Sequence, residues 1–239
     1  MINFFANKIV IISITLSAFS FLLTSCGPEV SFDISTSKLF ANENVKTTAS
    51  FLKQSKDCKP TKLRGTKEFE LSKVKFLKIF DPASDPIVVN CMYKDGSIDI
   101  ASIRVNAEIV SLNSDADFSI QRQQFPEISL DGQTYNVRAV KIAFGKAFLD
   151  RAKQELSQDN NPNKNAFGDP IVKVAFVNDD NQDVILTGYN LWLNEQPVDV
   201  MYQKKVSHLE KVELKFSQVT GQLVGRGDAP IVFFVGKRK

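Results

Sequence analysis

The chain has 239 residues, of which 43% are apolar and 24% charged, and a formal net charge of +3. Thirty basic residues are interleaved with 27 acidic ones, so there is no electrostatic footprint for nucleic acid. One histidine and, beyond residue 26, two cysteines leave few soft ligands for a metal site.

The first stretch reads MINFFANKIVIISITLSAFSFLLTS, with Lys8 its only charge and an uncharged run of 15 residues from Ile9 to Leu23. A bilayer-spanning helix needs about 20 apolar residues, whereas a signal-peptide core needs about 7–15. A cation, an apolar core and then small residues predict a cleaved export signal over residues 1–25. Leu23-Thr24-Ser25-Cys26 resembles the bacterial lipobox. The resemblance implies that Leu23, Thr24 and Ser25 are read by a signal peptidase and that the Cys26 thiol takes a diacylglyceryl group. Cys26 then becomes the acylated first residue. One acyl chain binds a membrane marginally, while two or more anchor stably. The expected partner of this end is therefore the lipid bilayer. Gly27, where an aspartate would favour inner-membrane retention, implies the outer membrane if the cell is Gram-negative.

Removing the signal leaves 214 residues, enough to bury a core without metals. Cys58 and Cys91 remain, and in an oxidising compartment they are expected to pair as a disulfide. Closing a loop of that length stabilises by roughly 3.5–4 kcal/mol in the chain-entropy model. A catalytic thiol is the competing reading, and with His208 the only histidine it lacks a base.

From Glu29 the dominant rhythm is period two, the signature of half-buried strands. Val30, Phe32 and Ile34 predict a first strand, Ser35 to Phe40 a helical turn, and Thr47 to Leu52 a second strand. Lys67 to Phe80 fits both periods, and its Lys, Glu and Leu content favours a helix. IVVNCMY and SIDIASIRVNAEIV flank Asp95-Gly96 and predict a hairpin with a bulge or change of buried side near Ala101. Ser111 to Asp117 is a polar connector. It divides the expected mature chain into an N-terminal β-rich domain with one helix, 26–112, and a C-terminal α+β domain, 118–239. The second begins with a strand from Gln133 to Phe144 and a helix from Gly145 to Leu156. A meander follows: PIVKVAFVN, DVILTGYNLWL, VDVMYQ, KVELKFSQVTGQLVG and APIVFFVG, the last a central strand. The fold class expected is α+β, mostly antiparallel sheet with one or two packed helices. The run from PEVSFDISTSKLF through the cysteines to SIDIASIRVNAEIV resembles a group of prophage-associated bacterial lipoproteins, which implies no catalytic residues.

Few constellations carry chemistry. In NDDNQD, Asp179, Asn181 and Asp183 stand at alternate positions like the start of a calcium loop, yet Val184 replaces the next glycine and Asn190 the closing glutamate. A solvated turn is the simpler expectation. Arg226-Gly227-Asp228 is the integrin tripeptide and also a good turn, and Lys237-Arg238-Lys239 reads as a solvated tail. Tyr189, Leu191 and Trp192 offer a partner-binding patch or ordinary core. No nucleophile elbow, phosphate loop or His-Glu-x-x-His motif occurs.

The expectation is a non-enzymatic, lipid-anchored envelope protein without cofactor. It binds an envelope protein or surface component, with phage exclusion or receptor shielding as one version. The alternatives are an assembly lipoprotein and an envelope hydrolase using carboxylates.

Overall fold

The computed structural model describes residues 27–54, 77–94, 98–111, 114–156, 169–198 and 201–239, with side chains excepted at 54, 88, 90–94 and 98–100. The strands are β1 (Glu29–Ser35), β2 (Val45–Gln54), β3 (Ile87–Lys94), β4 (Ile98–Val110), β5 (Phe118–Leu130), β6 (Gln133–Phe144) and β7 (Ile171–Val177). They continue with β8 (Val184–Gly188), β9 (Leu191–Leu193), β10 (Gln196–Pro197), β11 (Tyr202–Val206), β12 (Lys211–Phe216) and β13 (Ile231–Arg238). Three α-helices are described: α1 (Thr36–Phe40), α2 (Lys146–Leu156) and α3 (Gln218–Arg226).

All thirteen strands join one curled sheet in the order β10-β9-β12-β7-β1-β2-β4-β5-β6-β13-β8-β11, with β3 added to β4. This corrects the expected α+β class. The protein is mostly β, because the helices are only five, eleven and nine residues long and the strands make up about 55% of it. Most of the alternating apolar segments are strands. What periodicity cannot show is that they all belong to one sheet. β1 lies parallel to β7 and β4 parallel to β5, so residues on both sides of the 111–117 connector are hydrogen-bonded into the same layer.

The curl builds the interior. Phe118, at the start of β5, has five ring neighbours at 4.8–6.3 Å: Phe32 of β1, Phe51 of β2, Phe80, Phe144 of β6 and Phe148 of α2. A second group joins opposite arms of the sheet. Phe176 on β7 and Phe216 on β12 each lie 6.3 Å from Phe233 on β13, although β13 is six places beyond β7 in strand order. All of these rings are at most 3% exposed. Burying a phenylalanine contributes roughly 1.5–3 kcal/mol, and edge-to-face pairs add about 0.5–1.5 kcal/mol.

Buried polar groups hold the arms together. Arg122 of β5, 4% exposed, donates to the Lys38 and Glu43 carbonyls, while Arg138 of β6 lies over the Phe40 ring, so α1 and its following turn sit inside the concave face. Asp117 accepts from the Arg151 guanidinium, the Asp81 N–H at 2.6 Å and the Ser84 hydroxyl at 2.8 Å. Burial pushes its carboxyl above the usual range, outweighing the three groups that favour the charge. Gly145 is required where β6 turns into α2, since a Cβ there would come within 2.5 Å of the Ala116 carbonyl oxygen.

Several local expectations change. KVELKFSQVTGQLVG is a strand only to Phe216. Ser217 then caps α3 by accepting from Thr220 N–H, and Gly227 at φ 93° closes it with bonds to Leu223 and Val224. DVILTGYNLWL is broken into β8 and β9 at Asn190, whose φ is 48°. The register shift in the β3–β4 pair falls between Val88 and Asn90 on β3, while Ala101, Ile103, Val105, Ala107 and Ile109 of β4 are all buried. Most of the helix expected over Lys67 to Phe80 lies outside the described residues.

Candidate functional site

The two faces of the arm formed by β5, β6, β13, β8 and β11 differ in what they meet. On β13, Phe233 and Val235 point to the interior and are fully buried. By strand alternation Phe234 and Gly236 point outward. A Cβ added at Gly236 would lie 3.6 Å from Tyr135 Cβ and 3.8 Å from Ile185 Cβ, which places both side chains on that outer face. Phe234 meets Phe125 edge-on at 5.2 Å and Tyr189 at 6.3 Å, and these two are 39% and 45% exposed. Beside this aromatic cluster lies an open cleft of ≈ 650 Å³ lined by Tyr135, Ile185, Gln203, Lys205 and Arg238, among others. Its rim is the Asp131-Gly132 turn between β5 and β6, with φ of 51° and 72° as a type I′ hairpin requires.

The other wall of the cleft comes from the polar hexapeptide that resembled a calcium loop. Its residues go to different partners. Asn178 is fully buried and fully satisfied: its amide nitrogen donates to the Gln182 and Val206 carbonyls, each at 2.9 Å, and its oxygen accepts from Thr36 at 3.0 Å and Asp180 N–H at 3.1 Å. It therefore ties the end of β1 to the ends of β8 and β11. Asp179 accepts from the Ser37 N–H at 2.7 Å and hydroxyl at 2.5 Å. Burial would raise its pKa, but the Ser37 bonds outweigh it and hold the carboxyl below the ordinary range. Asp180 is held low by its bond from Lys237, and Asp183 by Lys205 at 2.6 Å. The Asp180 carbonyl lies 2.7 Å from His208 Nδ1, which must donate because a carbonyl only accepts. Asp179, Asn181 and Asp183 are thus not gathered on one point, and no metal-holding group of His, Cys, Asp or Glu occurs among the described residues. Only Asn181, Gln182 and Asp183 line the cleft.

The basic end is likewise part of the structure. Lys237 pairs with Asp180, Lys239 with Glu127 at 2.6 Å, and Arg238 lines the cleft. Arg226-Gly227-Asp228 is the helix end already described. Tyr189, Leu191 and Trp192 part company: Leu191 is buried, Trp192 lies under Lys215, and Tyr189 joins Phe234. Leu23, Thr24, Ser25, Cys26 and Cys58 lie outside the described residues, as does the Cys91 side chain on β3. Sequence reasoning missed Phe125, Phe234 and the Asp131-Gly132 rim, although Asp-Gly was a usable signal there.

The fold and this face define a β-rich protein with one curled sheet, its inner side filled by the core and its outer side carrying an open cleft. The chain belongs to the DUF7424 family, a domain of unknown function whose model matches residues 28–237. No curated protein and no solved structure matches the chain. Among the described residues no helix is long and apolar enough to cross a membrane.

Proposed function

We propose that the protein is a non-enzymatic binding lipoprotein of the bacterial cell envelope, anchored through acyl chains on Cys26 and recognising an envelope component with its outer sheet face. The observation that carries this reading is the clustering of Phe125, Tyr189 and Phe234 beside the polar cleft on one face. Monomeric proteins seldom leave grouped aromatics exposed unless the patch binds something. Strand direction supports the orientation. Gly27 stands at the start of β1 and the cleft residues 181–183 follow the end of β7, which runs parallel to it. Seven strand residues of about 3.3 Å each separate the two ends by roughly 23 Å. In this reading the anchor lies before β1 at one end and the cleft at the other, offered away from the lipid. Receptor shielding against phage is one version of this role.

Two measurements test it. Metabolic labelling with a palmitate analogue should mark wild type and not Cys26→Ala. A photo-crosslinker at Tyr189 should capture an envelope component in wild type and lose it in Phe125→Ser/Phe234→Ser. Labelling that persists in Cys26→Ala, or capture indifferent to the double substitution, defeats the corresponding half of the reading.

A further inference from the structure

We propose that the cleft is an oligosaccharide site, an inference that rests on the binding reading above and names its ligand class. The lining is the reason. Among the described residues the side-chain amides of Asn181, Gln182 and Gln203 and the guanidinium of Arg238 make no hydrogen bond or ion pair, yet all four border the same ≈ 650 Å³. That volume falls within the range of about 300–1,000 Å³ seen for ligand sites. Each amide offers donors and an acceptor in one plane, and the guanidinium offers a fork of donors. Sugar hydroxyls both donate and accept, so adjacent hydroxyls on a ring match such groups two at a time.

Charge narrows the class. Lys205 and Arg238 are balanced by Asp131 and Asp183, and Lys205 is already paired with Asp183. A phosphate or other anion would find no surplus of positive charge here. A neutral polyhydroxyl ligand needs none. Tyr135 and Ile185 supply an apolar floor around Gly236, and Phe234, two residues along β13, carries that floor into the aromatic cluster. Two strand residues advance about 6.6 Å, so a ligand of several rings can run from the cleft onto the aromatics.

A peptide fits less well. Extended peptides bind by adding to a free strand edge, and this cleft lies over the pleated face. There β13 is hydrogen-bonded to β6 and β8 on its two sides, and β8 to β13 and β11, so the floor they form has no main-chain groups to recruit; the outer edge of β11, the last strand in the order, lies beside the cleft and not across its floor.

The test uses the full-length protein in detergent micelles, titrated calorimetrically with two neutral probes: a chitin oligosaccharide, which carries the N-acetylhexosamine chemistry of the cell-wall glycan, and a neutral hexose oligosaccharide of the kind found in surface polysaccharide. One of the two should bind saturably, which identifies the source. Gln203→Ala and Arg238→Ala should each weaken that binding about tenfold while leaving the melting temperature unchanged, as expected for the loss of one or two ligand hydrogen bonds. Failure of both probes to bind, or binding insensitive to both substitutions, overturns the proposal. So does an extended peptide that binds here with the same sensitivity. Capture through Tyr189 with no glycan bound would leave the binding-protein reading standing and remove only the saccharide.

Discussion

Phe233 and Phe234 are neighbours on one strand with opposite employment. Phe233 is fully buried, stacked on Phe216 and edge-on to Phe176 from the far arm of the sheet, whereas Phe234 is partly exposed and meets the rings of Phe125 and Tyr189 on its own arm. The inner side chain joins the two arms across the curl. The outer one contributes little to closure and is free to serve recognition. Along this strand the period of two therefore divides fold from function.

The largest effect that could break this contrast is at the inner hub. Phe118→Ala should cost about 3–5 kcal/mol, because five rings lose a common neighbour, and Phe233→Ala should fall in the same range. Urea denaturation measures both. Should Phe234→Ala prove as costly as Phe233→Ala, the division between faces is lost.

Asn178→Ala comes next. It strips partners from the Thr36 hydroxyl, two carbonyls and the Asp180 N–H, and a loss of about 1–3 kcal/mol for a buried group left unpaired is expected. Normal stability in this variant would mean that the two arms need no polar tie.

The acid response is smaller and has a definite sign. Asp180 is lowered chiefly by the Lys237 bond, and Asp179 is lowered by Ser37 against an opposing burial effect. Folded-state values below the unfolded value of about 3.9 favour the charged, folded form. Their contribution is present above pH 4 and is lost as pH falls through the folded-state values. The melting temperature should drop on acidification from pH 5 to pH 3, and Asp180→Asn should flatten that slope.

The smallest stability effect should be at the outer face, where Tyr189→Ser is expected to shift stability by about 0.5 kcal/mol and to reduce partner capture. A stability loss as large as that of Asn178→Ala would make Tyr189 a structural residue.

Much of the local structure was legible. Val30, Phe32 and Ile34 alternate as β1 does, Phe148 and Ala152 mark the buried side of α2, and the run Ile231–Val235 is a central strand between β6 and β8. Other places carried signals that period two overrode. Ser217 and Gly227 cap α3 within a stretch of alternating residues, and Asp131-Gly132 turns a hairpin at which only the second strand was expected. Asn178 could not be read at all. An asparagine at the head of five polar residues looks solvated, and only the approach of Thr36, Gln182 and Val206 makes it a buried tie.

Local sequence determined the positions of most strands and the side of each strand that is apolar, because these depend on neighbours within a few residues. Tertiary structure alone decided that β1 pairs with β7 some 140 residues away, that the sheet curls until β7 meets β13, and that Phe234, Tyr189 and the cleft share an outer face. Alternation states that a strand has two faces. Which one is enclosed depends on strand order and curl, set by contacts between residues far apart in the chain.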